Sequence, residues 1–64
     1  MSNKEKIRKH LARKGSITPL EALFVYRVGR LAPRIQELRE EGIEIDTVRV
    51  VDGAGTAYTR YELN

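Results

Sequence analysis

With 64 residues and no cysteine, the chain holds one domain with a thin core. That core is stabilised by packing alone, since no disulfide or cysteine-ligated zinc can staple it. Charged residues interrupt every apolar segment, which excludes a signal-peptide core and a membrane span and leaves a soluble, cytoplasmic protein with no membrane partner. One histidine and no glycine-rich phosphate loop leave no nucleophile–base pair and no ligand cluster. The expectation is a protein that is not an enzyme, with no catalytic residue, cofactor or metal.

The net charge of +3 is unevenly placed. It is +5 over residues 1–14, +2 over 15–35, −4 over 36–46 and zero over 47–64. A polyanion is drawn to the front half and repelled from the 36–46 stretch, although a basic tail and a solvated helix face account for charge alone equally well.

From Asn3 to Lys14 every residue is a competent helix former, and Ile7, His10 and Leu11 recur on one face. Ser2 or Asn3 caps the start, and Gly15 follows basic residues suited to a helix C-terminus. His10, at the edge of the apolar face, reads as a packing residue without a chemical role. Ser16-Ile17-Thr18 is short and β-branched enough to pair briefly with a strand, and Thr18 is placed as an N-cap. Pro19 at the first helical position and Glu21 at the third complete a capping-box signal, so the second helix begins at Pro19 and ends near Tyr26. Leu20, Leu23 and Phe24 are expected to form its inward stripe, with Ala22 small enough to admit a neighbouring helix.

After a short turn at Arg27-Val28-Gly29, the third helix is expected over about 30–41. Leu31, Ile35 and Leu38 are buried at i, i+4 and i+7, and Arg30, Pro33, Arg34 and Glu37 face outward. Pro33 lies in the first turn, where its missing amide costs little, and Gly42 ends the helix. Ile43–Val51 alternates as a strand, Asp52-Gly53-Ala54-Gly55 is a turn, and Thr56–Leu63 returns, giving a hairpin that packs through Ile45, Tyr61 and Leu63. The expected architecture is α+β: a winged helix-turn-helix of three helices followed by a C-terminal β-hairpin wing, a single domain over residues 1–64.

The run Gly15-Ser16-Ile17-Thr18, Leu20-Glu21-Ala22, Arg30-Leu31-Ala32, Arg34-Ile35, Leu38-Arg39, Glu41-Gly42, Ile45, Arg60-Tyr61 and Leu63 resembles the small winged helix-turn-helix proteins of bacteriophages and prophages. The resemblance covers nearly the whole chain and implies DNA binding without assigning one role. The chain departs from the pattern at three places. Arg27 stands where the family usually has Gly in the turn, Gly29 where it has a Ser or Thr cap, and Pro33 where Ala is typical.

Two functions follow as expectations. In the first, the chain is a sequence-specific binder of double-stranded DNA, a transcription regulator or an excisionase-like accessory factor of phage or prophage type. The third helix would lie in the major groove and the 52–55 wing on the backbone. The candidate DNA-binding residues are Arg27, Arg30, Pro33, Arg34, Glu37, Arg49, Tyr58, Lys4 and Lys9. Arg30 is the preferred base reader, because a guanidinium donates two bonds to guanine. Arg27 and Arg49 suit phosphate, while Arg34 and Arg39 can instead be occupied by carboxylates. In the second, Glu37, Glu40, Glu41, Glu44 and Asp46 form an acidic surface that docks a host or phage protein. A homodimer remains open in both, since a thin core can be completed by self-association and a single small domain binds DNA modestly.

Overall fold

The computed structural model describes residues 2–64. Its elements run α1 (Asn3–Lys14), β1 (Ser16–Ile17), α2 (Pro19–Tyr26), α3 (Leu31–Glu40), β2 (Ile45–Val51) and β3 (Ala57–Leu63). Each helix start follows from local chemistry. The Ser2 side chain accepts from the Glu5 amide at 3.2 Å, and α1 ends on Gly15 in the left-handed region at φ 86°, which a residue without Cβ adopts without strain. At α2 the expected capping box closes in both directions. Thr18 Oγ1 accepts from the Glu21 amide at 3.1 Å, and the Thr18 amide donates to Glu21 Oε1 at 3.0 Å. At the end of α3, the Ile43 amide reaches the Leu38 carbonyl and the Gly42 amide the Arg39 carbonyl. With Gly42 at φ 96° this is a Schellman stop, and it folds Ile43 back against the core.

The sheet corrects the expected architecture. The hairpin is not a free two-stranded wing, because β1 joins it in an antiparallel sheet of order β1-β3-β2. Ser16 pairs with Glu62 and Ile17 with Tyr61, while β2 and β3 run in register from Ile45 opposite Leu63 to Val51 opposite Ala57. The reason lies in Ile17. It is fully buried and shares a sheet face with Tyr61, so the two-residue strand anchors the base of the hairpin to the helices. Tyr61 packs against the core as expected, but Leu63 remains 39% exposed.

The core comprises Ile7, Leu11, Ile17, Ala22, Val28, Leu31, Ile35, Leu38 and Ile45, with α1 as its hub, packed on α3, β1, α2 and β3. The second helix contradicts the expected stripe. Leu20, Leu23 and Phe24 all face solvent, at 62%, 44% and 71% exposure, and Ala22 is the buried residue. The physical reason is a polar latch on the opposite side. His10 on α1 is buried at 5% exposure, and its Nδ1 sits 2.8 Å from the Tyr26 hydroxyl. The two rings meet edge to face at 5.5 Å, and Glu21 lies 4.0 Å from His10 Nε2. These contacts rotate α2 so that Ala22 and Tyr26, four residues apart, face α1. The methyl of Ala22 lets the two backbones approach, and the longer apolar side chains are left outside.

Candidate nucleic-acid interface

The turn between α2 and α3 carries two of the candidate arginines in unusual positions. Arg27 caps α2 in the left-handed conformation, φ 60° and ψ 30°, and is the one non-glycine residue with positive φ among those described. Its amide donates to the Leu23 carbonyl and that of Val28 to the Ala22 carbonyl, each at 3.0 Å. Val28 is then driven into the core at 4% exposure, which pins the turn. Glycine would adopt this geometry freely; Arg does so at a cost of about 1–2 kcal/mol. The N-cap of α3 is Arg30, one residue beyond Gly29, and it makes no side-chain cap hydrogen bond. The first turn of α3 holds no acidic residue and no side chain caps it, so no carboxylate offsets the positive end of its dipole, and Arg27 and Arg30 in the segment leading into it are exposed. That is the electrostatics of a phosphate site.

Pro33, the third residue of α3, leaves the helix unbroken through Glu40, since the amide it lacks has no intrahelical acceptor in the first turn. At 100° per residue the face opposite Leu31, Ile35 and Leu38 comprises Pro33, Gln36, Glu37 and Glu40. Gln36 and Glu40 are exposed and Pro33 and Glu37 half-buried. Gln36 was absent from the sequence expectation. The same periodicity that identified Pro33 and Glu37 places it there, and its carboxamide is a bidentate partner for adenine. Arg34 lies on the flank. Its terminal nitrogen donates to Glu37 Oε2 at 3.3 Å, and its Nε is 2.9 Å from Oε1. Arg39 is occupied structurally, donating twice to the Ile45 carbonyl, at 3.0 and 2.7 Å, and once to Thr47 Oγ1 at 2.8 Å. It therefore ties the end of α3 to the start of β2.

Arg49 is exposed on the same face of β2 as Thr47, two residues further toward the wing tip. The tip is rigidified from within. Asp52 accepts from the amides of Ala54 and Thr56, both at 2.9 Å, and Gly55 takes φ 85°, so the only charge of the turn is directed inward. Tyr58 lies opposite Val50 and lines a groove of about 550 Å³ with Thr18, Pro19, Leu20, Asp52 and Thr56. On α1, Lys4 is bound to Glu41 at the end of α3, and the carboxylate's hydrogen bond and charge hold its ammonium above the ordinary lysine range. Arg8 pairs with Glu5, which lowers the Glu5 carboxyl chiefly through that hydrogen bond. Lys9 is exposed.

Among the described residues no ion pair or side-chain hydrogen bond engages Arg27, Arg30, Arg49 or Lys9. Arg27 at the C-cap of α2 and Arg30 at the N-cap of α3 are thus both exposed and unpaired, and Arg49 stands on the wing strand. Lys4, Arg34 and Glu37 are committed to intramolecular pairs. No group of three or more His, Cys, Asp or Glu gathers in metal-binding geometry among the described residues, and none of the described helices is long and apolar enough to cross a membrane.

A family model described as "Winged helix-turn-helix domain" matches residues 2–64. Comparisons with curated proteins and with solved structures found no match.

Proposed function

Because the chain belongs to the winged helix-turn-helix domain family, we propose that it is a sequence-specific double-stranded DNA-binding protein. In this reading it is a binding module and not an enzyme, acting as a transcription regulator or excisionase-like accessory factor of phage or prophage type. The phage assignment rests on the resemblance of the Gly15–Thr18 turn and the Arg30–Arg39 pattern to proteins of that origin. The observation that carries DNA binding is that Arg27 and Arg30, at the caps on either side of the turn into the acid-free start of α3, are exposed and unpaired.

The front of α3 enters the major groove with Arg30, Pro33 and Gln36 toward the bases. Arg27 holds phosphate at the turn, and Arg49 holds it from the wing. Lys9 adds a weaker backbone contact from α1. The acidic end of α3 stays clear of the duplex, so the groove is read from the first two turns only.

The test is selection from a random duplex pool followed by binding at varied salt. About three phosphate contacts give a log–log salt slope near −3, and Arg30→Ala or Gln36→Ala costs on the order of 1–3 kcal/mol on the selected site alone. Equal losses on selected and scrambled duplexes would demote either residue to a backbone contact.

One observation favours a second reading, docking on a host or phage protein through the acidic surface. Glu40, Glu44 and Asp46 are exposed and outside every ion pair among the described residues, which suits a basic protein face. Reversing these three charges abolishes partner capture under this reading; undisturbed capture removes it.

A further inference from the structure

The sheet is complete on one side of β3 and unfinished on the other. β2 pairs with β3 from Ala57 to Leu63, whereas β1 reaches it only at Tyr61 and Glu62. The ladder fixes where each backbone group points. Asp52 and Asn64 donate their amides to the Thr56 and Glu44 carbonyls, each at 3.0 Å, so the even-numbered residues of β3 bond toward β2. Alternation then turns the amides and carbonyls of Ala57, Thr59, Tyr61 and Leu63 to the other side. There the Leu63 amide meets the Gly15 carbonyl at 2.8 Å, and Tyr61 lies opposite Ile17. Ala57 and Thr59 meet no strand. The register would set Pro19 opposite Thr59, but Pro19 has no amide to give and opens α2 instead. No bond outside the ladder takes up the Ala57 or Thr59 backbone among the described residues. The groove between the start of α2 (Thr18, Pro19, Leu20) and the wing (Asp52, Thr56, Tyr58) opens along this edge.

We propose that this edge takes an extended, basic peptide segment of a partner protein, added as an antiparallel strand that continues the line of β1. The proposal goes beyond the DNA-binding reading and does not depend on it. Backbone chemistry selects the conformation of the occupant, because a strand offers amides and carbonyls at the spacing of Ala57 and Thr59. Nothing on this stretch turns a strand away: residues 57–59 include no charge, no proline and no bulge. The outer edge of β2 differs, since Arg39 occupies its Ile45 carbonyl and the exposed Asp46 and Arg49 stand on that strand. Register places the side chains of the added strand. The residue opposite Tyr58 shares its face and enters the groove beside Leu20, which suits an apolar group. Two places further on, the residue opposite Thr56 lies in one row with Thr56 and Asp52. Charge selects the partner. Asp52 is the single charged residue lining the groove, Glu21 beside Leu20 adds a second carboxylate, and Arg60 is paired with Glu62. The site therefore repels phosphate and favours Lys or Arg two places after the apolar residue.

The experiment titrates the ¹⁵N-labelled full chain, without DNA, with the acetylated and amidated peptide Ser-Thr-Leu-Thr-Arg-Ser up to about 5 mM, a range suited to a short strand. The proposal predicts saturable shifts centred on the Ala57 and Thr59 amides, which also exchange more slowly with solvent. N-methylation of the peptide reads the register. At either Thr it removes an amide aimed at β3 and weakens binding about tenfold or more; at Leu, whose amide points away, the affinity stays within about twofold. Replacing the peptide's Arg by Glu also weakens binding about tenfold, and Asp52→Asn, whose side-chain oxygen still accepts from the turn amides, shrinks that difference. Should Asp52→Asn fail to fold, the peptide series on the wild type decides alone. Absence of saturable shifts overturns the proposal, as do shifts centred away from 57–59 or equal losses from N-methylation at Leu and at Thr. Shifts at Ala57 and Thr59 on diluting the chain alone assign the edge to a second copy and overturn it too. A chain that ignores the peptide and still binds duplex loses the strand addition and keeps the DNA-binding reading.

Discussion

Replacing Arg27 by glycine should strengthen the fold and weaken its hold on DNA. Arg27 sits at φ 60° and ψ 30°, where a side chain costs about 1–2 kcal/mol. Glycine removes that strain but surrenders about 0.5–1 kcal/mol of backbone entropy on folding. The net gain is therefore about 0–1.5 kcal/mol, and its centre near 0.75 kcal/mol raises Tm by roughly 3–6 °C for a domain of this size. No packing is lost, because Arg27 is exposed and both turn hydrogen bonds are made by backbone groups. Duplex affinity falls on all sequences alike, and the log–log salt slope becomes shallower by about one. The assays are a thermal melt and a salt series of fluorescence anisotropy on the same two proteins. A lower Tm for Arg27→Gly would refute the argument from strain, and an unchanged salt slope would refute the phosphate contact. Arg27→Asn, which tolerates the left-handed region, should likewise lose the contact without losing stability.

Thr18→Ala removes an acceptor from the α2 capping box and should cost about 1 kcal/mol in urea unfolding; a loss below 0.3 kcal/mol would mean that the box contributes nothing net. Ala22→Leu forces a larger side chain into the fully buried α1–α2 contact and should cost about 1–3 kcal/mol. Phe24→Ser, on the opposite side of the helix, should stay within about 0.5 kcal/mol at concentrations where the chain is monomeric, and a reversed ranking would show α2 rotated from the orientation described. The Glu5 carboxyl is lowered by Arg8, so its contribution is present above the ordinary carboxylate range and disappears as pH falls through the lowered value. Lys4 is raised by Glu41, so its contribution is present below the ordinary lysine range and disappears as pH rises through the raised value. Glu5→Gln should flatten the acid limb of a stability–pH curve slightly at low salt, and the difference should vanish in high salt because the pair is exposed; an effect that survives high salt would place it elsewhere.

Local signals carried most of the fold. Thr18-Pro19-x-Glu21 specified the start of α2 because its capping bonds close within four residues, and Gly15 and Gly42 marked helix ends that need left-handed backbone. Leu31, Ile35 and Leu38 oriented α3 because no competing apolar stripe exists on that helix. On α2 one does compete. Leu20, Leu23 and Phe24 outweigh Ala22 and Tyr26 in hydrophobicity, and the choice between the two faces was made by His10, sixteen residues before Tyr26 in the chain. Periodicity within one helix contains no trace of that contact. The third strand was half legible for a similar reason. Ser16 and Ile17 have strand propensity, but their partners Glu62 and Tyr61 lie at the far end of the chain.

The candidate interface divides in the same way. Arg27 and Arg30 were found from their place at the turn, and Gln36 follows from α3's own periodicity. That Arg39 is tied to Ile45 and Thr47, and Lys4 to Glu41, depends on tertiary approach. The carboxylate partner expected for Arg39 is replaced by a backbone carbonyl and a hydroxyl, which need an acceptor at the right place and not a charge. Arg34, by contrast, pairs with Glu37 three residues along its own helix, as the i, i+3 spacing allows.

The central claim is that the duplex meets the start of α3 and the wing. Its most direct test is a ¹⁵N-labelled titration with the selected duplex at low salt. The account predicts perturbations concentrated at residues 27–36 and 49–56, with Glu40 to Asp46 little affected. Perturbations centred on 40–46, or none on α3, would contradict it.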